Sequence, residues 1–100
     1  MSHAVKKKRI RDYRAEGLQK AVKAYEIRIA VLEALAPDRR CAHCRTRKRD
    51  LADLEVDHVD GRDYTLSSLS SLARARRYAA ELASGVRLRA LCRSCNARLW

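Results

Sequence analysis

Cys41-Ala42-His43-Cys44 and Cys92-Arg93-Ser94-Cys95 bracket the run Leu54-Glu55-Val56-Asp57-His58-Val59-Asp60-Gly61-Arg62, and Asn96 follows the last cysteine directly. A two-residue gap lets both thiolates of a knuckle bend round one metal ion, and two knuckles complete the tetrahedron that structural zinc takes. Two disulfides would need an oxidising compartment. The chain shows no apolar N-terminal run of signal-peptide length and nothing near the ~20 apolar residues of a membrane span. A reducing, cytoplasmic setting without membrane association is therefore expected, with Zn²⁺ held by Cys41, Cys44, Cys92 and Cys95. The metal also meets a structural need: 100 residues with no Phe and a single Trp bury only a modest core.

Working outward, residues 1–9 read as a flexible basic arm carrying Lys6, Lys7, Lys8 and Arg9. A helix is expected over 10–36, firm from about Leu18 because Gly17 weakens its start, and ended by Pro37. Leu18, Val22, Tyr25, Ile29, Leu32 and Ala36 recur at alternating spacings of four and three, which makes one apolar stripe. The stripe either lies across the zinc unit or pairs with a second copy as a short coiled coil. At under three firm heptads the first is favoured, and with it a monomer. Residues 37–100 form the zinc-stapled unit of what is a single domain overall. There, a short strand near 54–56 should run into a turn at Asp60-Gly61, with His58 at its mouth. Thr65 is a candidate N-cap for one helix or two short ones closing at Gly85, and 86–91 suits a second strand. A last helix should open at Cys95, and the four tyrosines are expected in the core. The fold class is small α+β with a long N-terminal helix.

The net charge is +11, yet residues 51–64 hold one arginine against five carboxylates. A basic chain suits a polyanion, and its acidic segment suits a hard divalent cation. Cutting a phosphodiester takes a base to activate water and a cation on the phosphate, held close together. His58 can accept a proton near physiological pH, Asp57 offers a carboxylate and Asn96, the chain's only asparagine, offers an amide oxygen. Neighbouring strand residues point to opposite sides, so Asp57 and His58 can share a site only if the strand bends there. Arg62, Arg89 and Arg93 are candidate phosphate contacts, weighed against ordinary surface arginines.

Together these residues resemble the HNH endonucleases and their ββα-metal (His-Me finger) motif, over roughly 41–98. Leu54 to Gly61 looks like the first signature of that family and Leu88 to Asn96 like its last. Asparagine after the final knuckle is similar to the endonuclease VII group of phages. The resemblance implies that His58 is the general base, that Asp57 and Asn96 bind Mg²⁺ or Mn²⁺, and that the cysteines hold zinc. It also implies cleavage of DNA in a bacterium or its phage, where a packaging or recombination protein is a candidate partner. The family's middle asparagine, which normally buttresses the histidine-bearing loop, falls at Arg87. That departure motivates the rival expectation, a zinc-stapled DNA-binding module with weak catalysis.

Overall fold

The computed structural model describes the backbone of residues 2–100 and the side chains of residues 14–100. Helix α1 (Ser2–Leu35) is followed by strand β1 (Leu54–His58), helix α2 (Ser71–Ala83), strand β2 (Leu88–Cys92) and helix α3 (Arg93–Leu99). Helical backbone thus begins at Ser2, ahead of the start expected near Ile10. The side chains of Lys6, Lys7, Lys8 and Arg9 lie outside the described residues.

A 34-residue helix is about 51 Å long, and the molecule measures 59 × 31 × 25 Å. The N-terminal half of α1 therefore projects from the body. The apolar stripe divides at that boundary: Leu32 and Ala36 are buried, whereas Leu18, Val22 and Tyr25 are 68%, 50% and 52% exposed. Ala24, not Tyr25, points inward at the upper end, and Val31 joins Leu32 below it. Tyr25 accordingly departs from the core position expected of it.

The lower half of α1 packs against α2, which buries Ala75 and Tyr78. Of the expected one helix or two short ones over 65–85, the structure has one α-helix preceded by a single 3₁₀ turn. Thr65 precedes only a 3₁₀ turn (Leu66–Ser68) and makes no side-chain cap bond. The N-cap of α2 is instead Ser70, whose hydroxyl accepts the Ala73 N–H at 3.2 Å. Such a bond satisfies one of the backbone donors left over in a helix's first turn.

The two strands pair antiparallel, with Leu54 opposite Cys92, Val56 opposite Ala90, Asp57 opposite Arg89 and His58 opposite Leu88. Strand β1 continues regularly through His58, two residues beyond the expected end, and then turns. The Gly61 N–H donates to the His58 carbonyl at 3.1 Å, and Gly61 has φ 78°, a conformation that costs glycine nothing. Arg28 ties α1 to the sheet, donating from its guanidinium to the Leu54 carbonyl at 2.8 Å. The core gathers Val31, Leu32, Leu54, Val56, Tyr78, Ala90 and Leu91 with three of the cysteines. Among the described residues no helix is long and apolar enough to cross a membrane.

Candidate functional site

The first knuckle is a tight turn. The Cys41 N–H donates to the Thr46 carbonyl and the Arg45 N–H to the Cys41 carbonyl, both at 3.0 Å. Arg45 adopts φ 66° to bring the chain back. The Ala42 N–H then donates to the Ala90 carbonyl at 2.9 Å, fastening the knuckle to β2. Cys92 ends β2 and Cys95 lies in the first turn of α3, so the second knuckle straddles a strand-to-helix junction.

All four Sγ atoms lie within 4.8 Å of one another, and those of Cys44 and Cys92 are 3.9 Å apart. Tetrahedral Zn²⁺ with bonds of ~2.3 Å sets its sulfurs ~3.8 Å apart, so the cluster fits a structural zinc. Burial pushes the Cys41 thiol up, but N–H groups of Cys92, Cys44 and His43 outweigh it and hold the thiol at about 6. Cys44 is lowered by its bond to Thr46. Burial and the neighbouring Cys92 push Cys95 up to about 11. A divalent cation at the centre would take the place of the remaining protons. His43 is exposed beside the cluster.

The regular course of β1 decides the rest. Leu54, Val56 and His58 face α1 and α2, while Glu55 and Asp57 face α3. Asp57 and His58 therefore stand on opposite faces of the strand. The bend that would let them share one site occurs only after His58.

His58 is 2% exposed. Its Nε2 lies 3.0 and 2.9 Å from the two carboxylate oxygens of Glu81 on α2, and 3.1 Å from the Tyr64 hydroxyl. Tyr64 in turn donates to Glu81 Oε1 at 2.6 Å. A carboxylate only accepts, so when the ring is neutral its proton sits on Nε2 and Nδ1 keeps the lone pair. Nδ1 is buried and has no hydrogen-bond partner. Burial together with Glu81 pushes the Tyr64 hydroxyl up to about 12, which keeps it a donor. The Arg77 guanidinium stacks over the Tyr64 ring at 4.3 Å. Beside this group opens a depression of about 890 Å³ lined by His58, Tyr64 and Glu81 together with Arg62, Arg77, Asp60 and Asp63.

On the opposite face Asp57 is 4% exposed and hydrogen-bonded at both oxygens. Arg89 Nε donates to its Oδ2 at 2.7 Å, and the Trp100 indole N–H donates to its Oδ1. Asn96 on α3 donates from its amide nitrogen to Glu55 at 2.8 Å. Glu55, Asp57 and Asn96 line one shallow depression with Arg93 and Trp100. Glu55 and Asn96 have oxygens to spare for a hard cation, whereas each oxygen of Asp57 already accepts one hydrogen bond and keeps only its second lone pair.

The expected constellation is thus split. Asp57 and Asn96 come together, His58 lies across the strand from them, and Arg62 borders both depressions. Arg62 and Arg93 are exposed, as phosphate contacts require. Arg89, expected among those contacts, is committed to Asp57. Arg87, the position of the missing family asparagine, does not meet His58. It is exposed and pairs with Asp60 at 3.6 Å. Residue-by-residue reasoning missed Glu81 and Tyr64. One signal was available: Glu81 is the only acidic residue after Asp63. Compared with known proteins, the chain matches no family model, no curated protein and no solved structure.

Proposed function

We propose that this protein is a zinc-stapled endonuclease of the HNH type that hydrolyses DNA phosphodiester bonds, with His58 as the general base. The observation that carries this reading is the state of the His58 ring, buried, held at Nε2 by a carboxylate and left with an unpartnered acceptor at Nδ1. A structural core histidine normally has both ring nitrogens satisfied, because an orphaned buried polar atom costs about 1–3 kcal/mol. Nδ1 is sealed from solvent as it stands; a shift that admits a water to it would satisfy the atom and leave that water ready to lose a proton as it attacks phosphorus.

Arg62 and Arg77 border the same depression and would carry the phosphate charge. The chain's excess of 23 basic over 12 acidic residues would supply sequence-independent affinity that falls as salt rises. A Mg²⁺ or Mn²⁺ ion, implied at Asp57 and Asn96, would act as Lewis acid on the phosphate. Asp57 would share such an ion with Arg89 and Trp100, and His58 stands on the other face of the strand, so the steps derived are those of His58 and the arginines.

The direct test is nicking of supercoiled plasmid by wild type and His58→Ala, with Mg²⁺, Mn²⁺ or EDTA, at matched DNA binding. Loss of about 10²–10⁴-fold in the variant is expected. Equal activity in the two proteins would overturn the assignment of the base. A second reading is favoured by the closed hydrogen bonding of Asp57: a zinc-stapled DNA-binding module without catalysis. Full binding by wild type and variant, with no nicking under any cation, would select it.

A further inference from the structure

We propose that Glu81 is the positioning residue for His58, fixing the ring as its Nε2–H tautomer so that Nδ1 is the proton acceptor. The inference rests on the proposed role of His58, and it assigns to α2 a part in the chemistry. An imidazole with neither nitrogen bonded can carry its proton on either atom and can flip about its bond to Cβ. Only one of those four arrangements puts a lone pair at the site that Nδ1 now occupies.

Three contacts on this face select that arrangement. Both oxygens of Glu81 lie within 3.0 Å of Nε2, so the carboxylate repels a lone pair there and rewards a proton. Tyr64 donates its own proton to Oε1 at 2.6 Å. It thereby fills one acceptor site and leaves Oε2, at 2.9 Å, for the histidine. The Tyr64 and Tyr78 rings then stand against the imidazole on two sides, with centroids 5.8 and 5.9 Å away. Glu81 is 13% exposed at its side chain, so water competes weakly for the same bond. The arrangement follows the general logic by which a buried carboxylate sets the tautomer and aim of a catalytic imidazole.

Glu81 touches neither water nor phosphate in this scheme; it acts through the ring. Its removal should lower kcat and leave KM for DNA unchanged, because the basic surface is intact. The expected fall is about 10–100-fold, the range for residues that orient a catalytic ligand.

The test uses ¹⁵N-labelled protein, with the His58 ring neutral, and reads both ring nitrogens by NMR in wild type, Glu81→Ala and Glu81→Gln. Wild type should show one tautomer, protonated at Nε2. Glutamine keeps the shape but can donate as well as accept, so both variants should show mixed tautomers, together with the kcat loss. An unmixed Nε2–H tautomer and unchanged kcat in the two variants would overturn the proposal. The glutamine variant guards against a folding defect in the alanine one. The NMR arm stands even if no cleavage is found. Plasmid nicking unaffected by His58→Ala would fail the assignment of His58 as the base, whereas a tautomer indifferent to Glu81 would fail this proposal.

Discussion

The two faces of β1 are built from adjacent residues and differ in how their polar atoms end. On the α3 face, both oxygens of the Asp57 carboxylate are hydrogen-bonded, one by Arg89 and one by Trp100. On the α2 face, the His58 ring is pinned at one nitrogen and buried without a partner at the other. A closed group holds structure together; a half-closed one in a buried setting is a place where chemistry can start. The difference teaches that ligand-type residues side by side in sequence need not serve one site. A regular strand sends them to opposite environments, and each is defined by what meets it there.

The largest effect should come from removing what both faces share. The knuckles join residues 41–44 to the end of β2 and the start of α3, and three of the four thiols are core residues. Stripping the metal with a strong chelator should therefore unfold the chain cooperatively, as it does small domains whose folding energy is metal-binding energy. Far-UV circular dichroism and a melting curve would report it. An unchanged melt after verified zinc loss would show that the two faces stand without the staple.

A middle-sized effect should separate the faces. Asp57→Ala leaves the Arg89 guanidinium, about a third exposed, without its partner and should cost about 2 kcal/mol in urea denaturation. If Asp57 is structural, plasmid nicking by the folded variant should persist. Loss of nicking at full stability would instead make Asp57 a cation ligand and draw the two faces into one site.

The smallest effect should come from Trp100→Phe, which deletes one donor to Asp57 from a residue that is 68% exposed. A loss of about 0.5–1 kcal/mol is expected. Because the same change frees an oxygen of Asp57, Mg²⁺ titration of wild type and variant, followed by calorimetry, would sharpen the comparison. Tighter binding in the variant would show that Trp100 competes with a cation for Asp57. Equal heats in the two proteins would leave the α3 face purely structural.

Much of the fold could be read directly along the chain. The knuckle spacing announced a four-thiol cluster because two residues are the right length of chain to bring two sulfurs to one centre. The Asp60-Gly61 turn and the two short strands followed from local backbone preference. The stripe on α1 was read only in part. Periodicity shows that a helix has an apolar face, but the reach of the body it lies on decides how much is covered, and here cover ends at Ala24. The cap at Ser70 was missed because Thr65 is an equally good cap by type, and only the docking of α2 distinguishes them.

For the candidate site, the sequence alone determined the four-thiol cluster, the excess of positive charge and the presence of a histidine at the end of the first strand. These depend on residue type and short spacing, which no long-range packing can change. The tertiary structure alone decided which atoms meet. Glu81 reaches His58 from 23 positions along the chain, Arg89 takes Asp57 from 32, and both contacts exist only because α2 and β2 dock where they do. A carboxylate in a helix is solvated by default, and it becomes the partner of a buried imidazole when helix packing removes the water between them.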